Sequence, residues 1–211
     1  MKPRTRPLGT GWFALIVASF VLLPACAAPS TTTLGGPAIN DGLVPPGLGT
    51  LRQDEVTLQL RSESLLVQVT PLDEPILRLM APDTYTRLSR IRDARLEDLE
   101  VQSGGADLQL FLVSFFSYQP NITFQPEDLQ LASLGLRYRP RAISAITAEW
   151  GAQRLEQQDT QSAVYGFEGT VSLDSDLVVE YSGVRAVGWD RILSRLELER
   201  SRVRARAGGV P

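Results

Sequence analysis

Residues 108 to 118 read LQLFLVSFFSY, and no other stretch restricts the fold of this chain as much. The run is short, rich in β-branched and aromatic residues, and bounded by Gly104-Gly105 before it and Pro120 after it, which favours a strand over a helix. Apolar residues at successive positions, where a half-exposed strand would alternate, belong at the centre of a sheet with both faces covered. Phe111, Phe115, Phe116 and Tyr118 therefore read as core and not as a ligand platform. Such a strand needs partners on both edges and a layer on each side.

Those partners are legible as short segments. VTLQL (56–60) and LLVQV (65–69) alternate apolar with polar residues around the break Arg61-Ser62-Glu63-Ser64, which predicts a hairpin with one buried face. Pro71 and Pro75 end its second strand. ITFQ (122–125), DLQLAS (128–133), LRYRP (136–140), an extended AISAITAEW (142–150), AVYGFEG (163–169) and LVVEY (177–181) follow, with turn residues between them. Short strands at this spacing predict a mainly β (α+β) chain, an antiparallel immunoglobulin-like β-sandwich; the missing Cys-Trp-Cys pattern excludes an antibody-type domain.

Two segments change period. In APDTYTRLSRIRDARL (81–96), Pro82 suits a first helical turn and Tyr85, Leu88 and Ile91 share a face, with Arg87, Arg90 and Arg92 mostly elsewhere. This predicts one short inserted helix whose arginines form a solvated face. In GWDRILSRLELERSRVRARAGGVP, Trp189, Ile192, Leu193 and Leu196 form a stripe, Asp190 suits the helix start, and Gly208-Gly209 stop it. The expectation is a C-terminal amphipathic helix packed through its first half. Its second half, with Arg200, Arg202, Arg204 and Arg206, reads as a solvated, frayed end, the alternative being contact with anionic lipid.

Composition removes whole classes of chemistry. There is no histidine, and no lysine after Lys2. A Ser-His-Asp or Cys-His arrangement needs an imidazole, and a Ser-Lys dyad or Schiff base needs an amine. Zinc and redox-metal sites draw on His and Cys, so none is expected, nor is any cofactor. No GxGxxG or GxxxxGK[ST] cradle is present. Carboxylate pairs remain: Glu127-Asp128, which follows Pro126 as a turn, and Asp174 with Asp176, which frames a bend in LDSDL. One DSD cluster falls short of the roughly six to eight oxygens calcium takes. Asp83-Thr84-Tyr85 lacks the glycine of an aspartic protease loop.

The only cysteine, Cys26, sits in VLLPACAAPS. Before it, Lys2, Arg4 and Arg6 precede an apolar run from Trp12 to Leu23, the parts of a signal peptide over residues 1–25. Leu23-Pro24-Ala25-Cys26 resembles the lipobox of bacterial lipoproteins, with Pro24 where that family has a small residue. The resemblance covers residues 1–26 and implies a diacylglycerol on Cys26 and cleavage just before it. The alternative is an Ala-x-Ala site, Ala25-Cys26-Ala27, with cleavage before Ala28 and loss of the cysteine. Ala27, where enterobacterial lipoproteins kept at the inner membrane carry Asp, leans towards the outer membrane. Residues 26–53, rich in Gly, Pro, Ser and Thr, read as a lipid-anchored flexible tether, 54–207 as the β-sandwich domain with its helix, and 208–211 as a tail.

Three of the 21 basic residues lie in the leader, leaving 18 against 24 acidic ones, a net of −6 from Cys26 onward. That sign argues against nucleic acid as a partner. The folded part, with phrases such as FLVSFFS, PEDLQL and GLRYRP, looks like β-sandwich domains of bacterial envelope proteins, a likeness of pattern that carries no site. The resulting expectation is a non-enzymatic envelope lipoprotein, held to the membrane through Cys26 and engaging an envelope protein partner. Two rivals stand beside it: a carboxylate-dependent glycan hydrolase, and a carrier of an apolar ligand between the sheets.

Overall fold

Wherever one face of a sheet is buried, the chain follows the two-residue period. A computed structural model describes residues 43–208; the leader, Cys26, the tether before residue 43 and the last three residues lie outside the described residues. β1 (Leu58–Arg61) buries Leu58 and Leu60 and exposes Gln59 and Arg61. β2 (Leu65–Pro71) pairs with it antiparallel, from Leu58↔Val69 to Arg61↔Leu66. α1 (Glu74–Leu77) and α2 (Pro82–Ser103) follow, then β3 (Leu108–Ser117). Next come β4 (Ile122–Thr123), β5 (Gln130–Ser133), β6 (Leu136–Tyr138) and β7 (Ala142–Ala145). β8 (Arg154–Leu155), β9 (Thr160–Glu168), β10 (Leu177–Tyr181), β11 (Val184–Ala186) and α3 (Trp189–Gly208) complete the described chain.

These strands form an antiparallel β-sandwich. One sheet has the order β1-β2-β3-β9-β7, the other β11-β10-β5-β6, and β4 pairs with β8 as a small ribbon. β3 is central, flanked by β2 and β9, and residues 110–113 are buried on both faces, as the apolar run predicts. Phe111, Phe115, Tyr165 and Phe167 line the inner face and meet Phe124, Trp150 and Tyr181 from the other side. Phe115 stacks on Phe124 at 4.6 Å between centroids and meets Tyr181 edge-on at 5.4 Å. The Tyr165 hydroxyl donates to the Pro126 carbonyl at 3.1 Å and the Tyr181 hydroxyl accepts the Gln125 N–H at 2.9 Å, so both phenol tips in this apolar layer are satisfied.

On the outer face α2 packs across β7 and β9 through Leu88 and Leu99, with Tyr85 and Ile91 half-buried beside them. The helix runs about two turns beyond the expected Leu96, because Leu99 continues its buried stripe, and it stops at Gly104 in the left-handed region. In its last turns Gln102 accepts the Ile143 N–H at 3.2 Å and Asp98 accepts the Ser144 hydroxyl, closing part of the free edge of β7.

Two expectations about the ends of the domain are corrected. The stretch read as tether up to residue 53 is packed from residue 44 onward: Val44, Gly49 and Leu51 are buried, and Leu51 bridges to Met80 through Leu51 N–H to Leu79 O and Ala81 N–H to Leu51 O. A Cβ on Gly49 would fall 2.1 Å from the Leu79 carbonyl carbon, so only glycine permits this approach. Val44, Leu48 and Leu51 stand at i, i+4 and i+7, but Pro45, Pro46, Gly47 and Gly49 between them break any helix, which is why they read as linker. The second half of α3 is not frayed either. Its buried stripe runs Trp189, Ile192, Leu196, Glu199, Val203, with a carboxylate standing where the pattern calls for an apolar residue. The segment AISAITAEW is also shorter as a strand than expected, since a 3-10 turn at Ala148–Ala152 swings Trp150 into the core.

The β5–β6 hairpin turns on Leu134 (φ +51°) and Gly135 (φ +78°), the two-residue geometry that favours Asn-Gly. An exposed leucine in the left-handed region carries about 1 kcal/mol of backbone strain. Leu134→Asn is therefore expected to stabilise the protein by about that amount in urea unfolding, with an unchanged slope.

Candidate functional site

The structure divides the carboxylates that the sequence nominates. Glu127 and Asp128 are exposed in the 3-10 turn Pro126–Asp128. Asp176 accepts the Leu134 N–H at 3.2 Å and serves the β5–β6 turn. Asp174, two residues before it, lines a separate cleft. The arginines of α2 are largely engaged: Arg92 pairs with Glu74 at 2.6 Å and Arg87 donates to Gln53 at 2.8 Å, while Arg90 is exposed.

That cleft, about 470 Å³, lies between α3 and the loops that leave β2 and β9, a size suited to a small ligand. Local sequence puts each group there. Pro71 and Pro75 turn the chain out of β2 and leave Asp73 at the cleft wall, at the N-cap position of α1. The bend of LDSDL presents Asp174 from the segment after β9. Four-residue spacing sets Leu196, Arg200 and Arg204 on one side of α3, over a floor that includes Ile76 and Val171.

Burial pushes the Asp73 carboxyl above the ordinary aspartate range; the 3.5 Å hydrogen bond from Gln109 opposes this, and the charges of Asp174 and Glu74 push it further up. Its neighbour Glu74 goes the other way. Burial raises it, but hydrogen bonds from Arg78 at 2.7 Å and Arg92 at 2.6 Å, with the Tyr85 hydroxyl at 3.1 Å, outweigh that and lower it. The two adjacent acids are thus driven in opposite directions, Asp73 by burial and Glu74 by its pairs with Arg78 and Arg92. On the opposite wall Arg200 is neutralised by Glu197 at 2.5 Å, whereas Arg204 makes no ion pair among the described residues.

Sequence reasoning missed Asp73 because it lies just past a strand end, where an acid reads as a turn residue. Its partner Asp174 sits a hundred residues along, beyond any local pattern.

Asp73 gives a pH prediction whose sign follows from linkage. An acid with a raised folded pKa costs nothing while protonated in both states. Stability falls as pH rises from the ordinary value of 3.8 through the raised folded value, and the penalty then persists. Asp73→Asn, which keeps the size of the side chain and removes its charge, is expected to match the wild type in acid and to be more stable at neutrality. Denaturant melts at pH 3 and pH 7 check this.

Among the described residues no group of three or more His, Cys, Asp or Glu side chains is placed to hold a metal ion, and no helix is long and apolar enough to cross a membrane. No protein-family model, no curated protein and no solved structure matches this chain.

Proposed function

We propose that this chain is a lipid-anchored, non-enzymatic module of the bacterial cell envelope, attached through Cys26, with its folded part engaging an envelope partner through the cleft beside α3. One observation carries the binding half: an open cleft of about 470 Å³ that combines charges of both signs with an apolar floor, in a chain that has no histidine and no lysine after Lys2. The inter-sheet space offers less to a ligand, since Phe111, Phe115, Phe124, Tyr165 and Phe167 meet there with almost no exposure. Lipid attachment rests on the lipobox resemblance of Leu23-Pro24-Ala25-Cys26.

The anchor is tested by Cys26→Ala. Expression in a diderm bacterium fed labelled palmitate is expected to show a labelled wild type in the membrane fraction and an unlabelled variant released from it. Equal membrane retention with no label in either form overturns the anchored reading.

A second reading is favoured by two carboxyls lining one cleft: Asp73, which burial pushes above the ordinary aspartate range, as general acid, with Asp174 as the second carboxyl, for glycan cleavage. Turnover of a glycan by the purified protein, lost in Asp73→Asn, would put this reading in place of the first.

A further inference from the structure

The cleft beside α3 holds more negative charge than its own residues neutralise. Glu197 and Arg200 satisfy each other at 2.5 Å. Glu74, just behind Asp73, is taken up by Arg78 and Arg92. What remains lining the cleft is the Asp73 and Asp174 pair from the loops and Arg204 from α3, together with the apolar Ile76, Val171 and Leu196. Asp174 is exposed and Asp73 half-buried; the Asp174 charge adds to the burial that raises Asp73, and the hydrogen bond that Asp73 accepts from Gln109 is long, 3.5 Å.

We propose that this cleft binds a dipolar, peptide-like ligand: an ammonium or guanidinium group seated between Asp73 and Asp174, an aliphatic stem over Ile76, Val171 and Leu196, and a carboxylate on Arg204. The assignment rests on the binding-module reading and narrows it to a ligand class. A cation at the aspartate end relieves their mutual repulsion, and a free carboxylate gives Arg204 the planar, two-oxygen partner that guanidinium favours. Apolar methylenes between the two ends match the floor. A purely anionic ligand meets the aspartates, and a neutral sugar leaves both charges unanswered.

The experiment is a calorimetric titration of the folded domain, residues 27–211 made without the lipid, with the tripeptide Lys-Ala-Ala, its C-terminally amidated form, and acetyl-norleucyl-Ala-Ala, which carries no cation. Lys-Ala-Ala is expected to bind saturably. The Asp73→Asn/Asp174→Asn variant is expected to bind at least about tenfold more weakly, the loss of charge-assisted hydrogen bonds. Amidation is expected to weaken binding several-fold in the wild type and to make no difference in Arg204→Gln, because only Arg204 reads the carboxylate. Thermal melts of each variant exclude misfolding as the cause. Equal binding of the cation-free peptide, no saturable binding of Lys-Ala-Ala, or unchanged affinity in the double aspartate variant would each overturn the assignment. A photo-reactive residue at Glu197, introduced into the membrane-attached protein, separates this from failure of the broader reading. If it captures a defined envelope protein while the tripeptide does not bind, the ligand class falls and the module stands; if neither occurs, both fall.

Discussion

Arg206→Ala is expected to lower stability by about 3 kcal/mol, an effect out of proportion to a half-exposed arginine near the chain end. The cause is the carboxylate it leaves behind. Glu199 is 1% exposed in the middle of the buried stripe of α3, and it accepts from Arg206 at 3.0 Å, from the Thr50 N–H at 3.1 Å and from the Thr50 hydroxyl at 2.9 Å. Arg202 stands further off at 3.7 Å, and Arg206 also donates to the Leu48 carbonyl. Burial raises the Glu199 carboxyl, and the hydrogen bonds from Arg206 and Thr50 together with the Arg206 charge reverse that and hold it below the ordinary glutamate range. Removing the arginine leaves a buried charge with only Thr50 and a distant guanidinium. Removing both charges is milder: Glu199→Leu with Arg206→Met fills the same stripe with apolar volume and is expected to cost about 1 kcal/mol or less. Urea unfolding of the single and double variants tests the contrast, and equal losses in both would refute it.

The same cluster sets an acid dependence. A glutamate with a depressed folded pKa contributes stability that is complete above its ordinary value of 4.5 and is lost as pH falls through the folded value. Arg206→Ala should flatten that part of the acid profile. Because Thr50 and Leu48 belong to the segment that leads in from the N-terminal side, the cluster also fastens residues 48–50 to α3.

Phe115→Ala is the second large effect, expected at about 3 to 5 kcal/mol. The ring is fully buried and touches Phe124, Tyr181 and Trp150, so its loss opens a void between the two sheets that neighbouring rings fill only in part. Phe116, one residue along, points to the outer face, is only half-buried and meets Tyr118 edge-on at 5.1 Å. Phe116→Ala is expected to cost less than half as much. Near-equal losses would mean that the strand register is not the one described, since a one-residue slip exchanges the two faces.

The hairpin β1–β2, the central strand β3, the strand β10 and the apolar face of α2 were readable because each declares itself within a dozen residues. Leu58 and Leu60 alternate with polar residues, residues 110–113 are apolar without interruption, and Tyr85, Leu88 and Ile91 repeat at helical spacing. β8 and β11, two and three residues long, carry too little pattern to be recognised. The helix end at Ser103 is hidden for a related reason: Arg92 and Arg95 occupy the packed face between Leu88 and Leu99, so the apolar stripe is broken before Leu99 resumes it.

What the sequence by itself determined is the local period, and with it the class: an antiparallel sandwich with helices on its outside, in a chain without histidine and with no lysine after Lys2. The tertiary structure decided which distant groups meet. Asp73 and Asp174 share a cleft, and Thr50 reaches Glu199 across 149 positions, because two sheets fold over one another and α3 returns across their end. Periodicity says which face of an element is buried. It carries no information on which other face will lie against it, and the charges of this cleft come from elements joined only by that packing.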